Sequence, residues 1–233
     1  MMTPTQHMGQ QLLPLQPRHS PCVDNLPGLA DELSLALRQL KSGTHPLCIY
    51  GEPGMGKTHW LLWAAFGEDA WAPYIDCRAR ETTPETVLDC RAAPFLCLDN
   101  VDAWANREKE ETLFCLYNER QERGLPWLIS CNHPPPHWRL PDWESRLAGF
   151  TQYRLEHPCE EQLHALIAVI ARRFGPAFDS ALVGYLASRE TRNLRQLTEL
   201  IEGFQYWLWQ KKAAPSVQQW RLFHRDRDAR IAE

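Results

Sequence analysis

An α/β domain built on a parallel sheet, followed by a smaller all-helical domain, is the architecture this sequence predicts, and three observations predict it. From about residue 28 to 157, short apolar runs alternate with helical patterns, which is how parallel strands joined by helical crossovers read. After His157-Pro158 the strand-like runs stop and helical periodicity takes over, punctuated by Gly175-Pro176 and Pro215. Between the first strand-like run and the helical pattern after it lies Gly51-Glu52-Pro53-Gly54-Met55-Gly56-Lys57-Thr58, which matches G-x-x-x-x-G-K-[ST].

Taken in order, residues 1 to 27 carry Pro4, Pro14, Pro17, Pro21 and Pro27 among polar neighbours and read as an extended leader. The expected strands are 47–50, 73–76, 95–98, 127–131 and 151–155, with helices at 29–41, 57–66, 84–91 and 108–123. Helices at 160–174, 178–188, 193–211 and 216–224 then make up a lid. The boundaries are therefore 1–27 for the leader, 28–157 for the α/β nucleotide-binding domain and 158–233 for the lid. A nucleotide domain followed by a small helical lid is the plan of AAA+ proteins.

The chain has 233 residues, enough for one large domain or a medium and a small one, and its 44% apolar residues suffice for a real core. A net charge of −4 argues against an unaided grip on nucleic acid. The eight cysteines form no C-x-x-C pair, and several lie in apolar runs where cysteine acts as a small hydrophobe, so neither zinc nor a disulfide framework is expected. Without a signal peptide or an apolar run of about 18 residues, the expectation is a cytoplasmic protein with no membrane contact.

The glycine-rich stretch carries the chemistry. Its glycines let successive backbone N–H groups curl around phosphates, and the following helix, with His59 in its first turn, offers the positive end of its dipole. Lys57 is expected to reach the β/γ-phosphates of ADP or ATP and Thr58 to ligate Mg²⁺. The bland alternative is a glycine-rich turn that fits by chance, and the strand before and helix after speak against it. Pro94 to Asp99 is an apolar run ending in an acid, which places Asp99 on the metal side of the same site. Asn100 follows where AAA+ hydrolases commonly hold a second acid. An amide cannot take a proton, so slow intrinsic hydrolysis is expected, with Asp102 nearby as partial compensation.

Two further polar positions are open to either reading. Asn132 ends the run Leu128 to Cys131, where AAA+ proteins put a γ-phosphate sensor, or it is simply a turn before Pro134. Arg192, at the start of the 193–211 helix, is placed to reach back to phosphates, with Arg189 and Arg195 as rivals. Phe204, Tyr206, Trp207 and Trp209 are expected to be lid core, because helical aromatic stripes usually bury.

At this point the chain resembles the DnaA branch of AAA+ proteins, and within it the Hda family of regulatory inactivators of DnaA. The resemblance covers most of the chain. It is most specific at Glu111 through Arg120, Leu128 through Pro135, Leu140-Pro141-Asp142 and Ser145-Arg146-Leu147, with the Asp99-Asn100 pair also similar. It implies that Arg146 is an arginine finger acting in trans on a neighbouring nucleotide; by itself an arginine in a polar segment reads as solvated surface. Within the leader, Gln10-Gln11-Leu12-Leu13-Pro14-Leu15 is similar to the Q-L-x-L-P-L peptide that binds the polymerase sliding clamp, departing at Gln11. On that likeness Gln10, Leu12, Leu13, Pro14 and Leu15 would meet the clamp. Asn132 also departs from the family, which usually has Asp there.

The resemblance thus implies an adaptor that binds ADP or ATP, docks on the DNA-loaded clamp and promotes hydrolysis of DnaA-bound ATP, with little turnover of its own. It touches DNA indirectly, and monomer and homodimer both remain open. A helicase-loader ATPase of the DnaC or IstB type is the alternative, and would bind single-stranded DNA. A small-molecule phosphotransferase is a third, for which no acceptor pocket is legible. With the chain ending at Glu233, no helix-turn-helix domain is expected after the lid, unlike a full-length initiator.

Overall fold

The computed structural model describes residues 31–43, 45–66, 72–132 and 138–231. Elements follow in the order α1 Asp31–Ser42, β1 Leu47–Tyr50, α2 Lys57–Phe66, β2 Tyr74–Asp76, α3 Pro84–Asp89, β3 Leu96–Asp99, α4 Arg107–Glu122, β4 Trp127–Cys131, α5 Pro141–Ala148 and β5 Thr151–Arg154. The lid comprises α6 Glu160–Phe174, α7 Ser180–Arg189, α8 Leu194–Lys211 and α9 Val217–Ile231. The five strands are all parallel, in the order β2-β3-β4-β1-β5. Register is what builds the site. Asp76 stands opposite Asp99, and Tyr50 opposite Cys131, so the carboxyl ends of the four strands β2, β3, β4 and β1 meet along one edge. Ligands of open α/β sheets bind outside that edge.

Both faces of the sheet are covered. Leu47, Ile49, Cys97 and Leu128 pack against α1 and α2 through Leu33, Leu37, Trp60 and Ala64. Cys48, Leu96, Leu98 and Ile129 pack on the other side against Leu113 and Leu116 of α4 and Trp143 and Leu147 of α5. Such two-sided burial accounts for the nearly unbroken apolar runs of the inner strands. Arg120 staples this second layer. Fully buried, its guanidinium donates to the carbonyls of Cys90, Arg91, Ala93 and Pro126, at 3.4, 3.1, 3.0 and 2.6 Å. Burial pushes its pKa down to about 10. The lid has a core of its own, centred on Phe204 with Trp207, Trp220 and Phe223 around it.

Three expectations need correction. Residues 141–148 form a helix, α5, where a polar segment was expected; Pro141 sits at its first turn, and Trp143 and Leu147, four residues apart, supply the buried stripe. Helix α9 runs to Ile231 rather than stopping near 224, although its last two turns carry no apolar stripe. The aromatic cluster of α8 splits by helical phase. Phe204 and Trp207 are buried, while Tyr206 and Trp209 are 60% and 75% exposed on the other face. The seven cysteines among the described residues are free thiols, and no described helix is long and apolar enough to cross a membrane. The leader, including Gln10, Leu12, Leu13, Pro14 and Leu15, lies outside the described residues.

Candidate nucleotide-binding site

The loop between β1 and α2 has the backbone its sequence demands. Gly54 and Gly56 take φ of +85° and +92°, a region that side chains strain to enter. A Cβ on Gly54 would also strike the side chain of Asn193. The loop opens onto a cavity of about 890 Å³, within the range of nucleotide-sized sites. Its floor is the loop itself, with Lys57 and Thr58, and its walls come from the sheet edge (Asp76, Asn100, Asn132) and the lid (Ile170, Leu194). Met55 is buried in the core and Glu52 pairs with His157 at 3.2 Å, so at these two positions the loop presents backbone rather than side chain.

Lys57 is 6% exposed and donates to the carbonyls of Gly51 and Glu52, at 2.6 and 2.9 Å. Burial lowers its pKa, opposed by the carboxylates of Asp102 and Asp99. Beside it the Thr58 hydroxyl donates to Asp99 Oδ2 at 2.6 Å. Asp99 is fully buried and accepts four hydrogen bonds. Oδ2 also takes the Tyr74 hydroxyl at 2.8 Å, while Oδ1 takes the Ser130 hydroxyl and, at 3.0 Å, the N–H of Asn100. Tyr74 accordingly keeps its proton, its pKa raised by burial and by the adjacent carboxylate. An alcohol and a carboxylate in contact beside the loop are the oxygen donors that suit Mg²⁺ bound with a phosphate. These residues fit a Mg-nucleotide.

The wall above them is a chain of amides and acids. Asn100 adopts a left-handed backbone (φ 55°, ψ 44°) and donates Nδ2 to Asp76 Oδ1 at 2.9 Å. Asn132 donates Nδ2 to Asp102 Oδ2 at 2.6 Å, and Arg78 stands 3.9 Å from that same oxygen. Asn100 therefore sits where Asp76 and Asp99 already crowd negative charge, a place that favours an amide over a third carboxylate.

Lid and loop touch directly, since Asn193 Nδ2 donates to the Pro53 carbonyl at 2.9 Å. Arg192, expected to reach the phosphates, instead points to the Pro158 carbonyl at 3.5 Å and does not line the cavity. Arg173 and Arg195 occupy that wall. Arg192 precedes the N-cap Asn193, and the cavity is lined from Asn193 onward. Arg146 is also outside the cavity. It is exposed on α5, its guanidinium 5.6 Å from the centre of the Tyr117 ring and 6.0 Å from that of Phe114. Sequence reasoning missed Tyr74, Asp76, Arg78, Ser130 and Asn193. Asp76 alone carried a local signal, as an acid ending a strand.

No family model matches the chain. Curated relatives do. The chain is 23% identical over 175 residues to the chromosomal replication initiator DnaA of Treponema denticola, which covers 67% of this chain and 37% of that protein. It is 27% identical over 175 residues to DnaA of Thermomicrobium roseum, covering 66% and 37%. The chain thus matches little more than a third of the length of these relatives. Domain III of Thermotoga maritima DnaA superposes with a TM-score of 0.72 at 19% identity, over 92% of this chain and 98% of that one. The fold is that of a DnaA-type AAA+ module. A DnaA structure with AMPPCP and single-stranded DNA gives a TM-score of 0.65 at 19% identity, over 82% of this chain and 68% of that one. The Thermotoga maritima branch-migration motor RuvB also gives 0.65, at 17% identity over 82% and 66%. Sequence relatives and fold together support a DnaA-related AAA+ assignment.

Proposed function

We propose that this chain is a nucleotide-bound AAA+ adaptor of the Hda kind, which joins DnaA to the DNA-loaded sliding clamp in the cytoplasm and stimulates hydrolysis of DnaA-bound ATP. The observation that carries the reading is a division of labour between two surfaces. The cavity brings together Lys57, Thr58 and the glycine loop, which support a reading as an ADP or ATP site, and the position that would activate water is Asn100, an amide tied to Asp76. The arginine that the family resemblance singles out, Arg146, stands outside that cavity and faces solvent, where it can meet a neighbour's nucleotide.

In this reading Lys57 and the loop N–H groups hold the phosphates, and Thr58 with Asp99 holds Mg²⁺, whose chemistry is to neutralise phosphate charge. Leu166, Ile170 and Leu194 offer an apolar wall for the base. Arg146 then contributes a planar cation to the γ-phosphate of DnaA as charge develops there. Clamp docking falls to Gln10, Leu12, Leu13, Pro14 and Leu15. The decisive experiment follows conversion of DnaA-bound ATP to ADP with this protein, clamp and duplex DNA, omitting each in turn. Conversion that requires all three supports the adaptor. Conversion indifferent to this protein overturns it, and single-stranded DNA binding without any effect on DnaA would favour a helicase loader.

A further inference from the structure

Two acids are fully buried among the described residues, and the nucleotide site uses only one of them, Asp99. The other is Glu110, in the first turn of α4. A buried carboxylate is tolerated only where its partners are built in. Those of Glu110 are two backbone N–H groups, of Arg139 at 2.9 Å and of Leu140 at 2.6 Å, and Oε2 accepts from both. These are the last two residues before α5. Leu140 is the N-cap of that helix and has no polar side chain to offer, and Pro141 after it carries no N–H. Glu110 thus holds the chain at the point where α5 begins, a task that an acid of the same helix performs in a capping box. Its charge also stands at the positive end of the α5 dipole.

Helix α5 carries Arg146, and the rings beside that guanidinium lie on the same stripe of α4 as Glu110. Positions 110, 114 and 117 are spaced four and three residues apart, which puts them along one face. That face of α4 therefore meets α5 twice, at its start through Glu110 and at Arg146 through Phe114 and Tyr117. Between these contacts Trp143 and Leu147 are buried in the core. Apolar burial is non-directional, so it holds α5 to the domain more than it fixes the slide of so short a helix. Hydrogen bonds to backbone N–H groups are directional, and they fix where the helix starts. From there each residue rises about 1.5 Å, so Arg146 keeps its place only while the start keeps its own. Resting on the adaptor reading, we propose that Glu110 is a positioning residue for Arg146, acting through the register of α5 against α4.

The test compares Glu110→Ala, Glu110→Gln and Glu110→Asp with wild type and Arg146→Ala, in two readouts. The first is the conversion of DnaA-bound ATP to ADP on clamp-loaded DNA, as a function of this protein's concentration. Glu110→Ala should lower the maximal rate about 10- to 100-fold, the scale of a misplacement near 1 Å, and leave the half-saturating concentration unchanged. Because Oε1 accepts from no described group, Glu110→Gln can keep its oxygen for both N–H groups, and it should recover most of the rate. The second readout is the NMR signal of the Arg146 Nε–H, assigned by its loss in Arg146→Lys and shifted by the two rings. Glu110→Ala should move that signal toward the position of a free arginine, and Glu110→Gln should leave it near wild type. Unchanged ADP affinity shows that the variants fold. Should Glu110→Ala fail to bind ADP, Glu110→Asp decides, since one methylene less should move the signal the same way and lower the rate less. An unmoved Arg146 signal, in Glu110→Ala or in a deciding Glu110→Asp, overturns the positioning alone, whatever the rates. Wild-type stimulation by Arg146→Ala overturns the adaptor reading, and this proposal with it.

Discussion

The nucleotide cradle and the Arg146 face show two ways of holding a charged group. In the cradle the two central charges, Lys57 and Asp99, are enclosed. Lys57 is spent on two carbonyls and Asp99 on four donors, all within 3.0 Å. On α5 the guanidinium of Arg146 is exposed and steadied by the rings of Phe114 and Tyr117, which lie nearly 6 Å away. A buried group must have its partners built in, because leaving one unmade costs about 1–3 kcal/mol. An exposed arginine can wait for a partner, since water serves it meanwhile. The first arrangement suits a ligand that stays; the second suits an encounter.

Breaking each side separately sharpens this contrast. The largest effect is expected from Arg146→Ala, which should lower stimulated hydrolysis of DnaA-bound ATP by about 10³-fold, the lower end for an arginine finger. Its ADP affinity and its clamp binding should remain those of the wild type, and Lys should rescue poorly. Stimulation by the Ala variant equal to wild type would remove the finger from the account. Arg139 and Arg154 serve as controls, because a merely electrostatic patch would spread the loss over all three.

Next comes Lys57→Ala, which takes away the main cationic contact to the phosphates. Calorimetry should show ADP affinity reduced about tenfold or more, the scale of a charge-assisted hydrogen bond. An unchanged isotherm would mean that the cavity holds nucleotide by other groups. Asp99→Asn should act on the fold as well as on the metal. It turns one acceptor toward its neighbours' donors as an NH₂ group, and thermal unfolding should report a loss of about 1–3 kcal/mol. A melting curve matching wild type would show that the four bonds to Asp99 contribute little. The smallest effect belongs to Tyr117→Ala. Without that ring, stimulation of DnaA should fall only about two- to fivefold, as one exposed cation–π contact allows. A loss as large as that of Arg146→Ala would mean that Tyr117 does more than steady the guanidinium.

How much of this was legible in the sequence depends on how local each signal was. The phosphate loop could be read in full, because its glycines, lysine and threonine are contiguous and the flanking strand and helix carry their own patterns. All five strands fell within a residue or so of their observed ends; the inner three, β1, β3 and β4, are apolar on both faces, while β5 is an exposed edge strand without that signal. Helix α5 escaped because eight residues with a two-residue buried stripe give too short a period to register. The wall of the cavity escaped for another reason. Tyr74, Asp76, Ser130 and Asn193 lie far apart in sequence and are brought to Asp99, Asn100 and Pro53 by strand register and by the lid. Ser130 was further disguised inside an apolar run. Arg192 was chosen over Arg189 and Arg195 by nearness to a helix start, whereas the cavity wall begins at the cap Asn193 and takes Arg195 from α8 and Arg173 from α6.

Asn193 has a mechanical consequence. Its side chain is a pivot, because Oδ1 caps α8 by accepting from the N–H of Gln196 at 3.1 Å while Nδ2 holds the phosphate loop through Pro53. Helix α8 is 18 residues long and so extends roughly 27 Å from that pivot. A tilt of about 4° around Asn193 carries its far end through roughly 2 Å, the size of helix shifts that switch interfaces. The phosphate loop and the stacked rings of Tyr206 and Trp209 thus lie at the two ends of one rigid element.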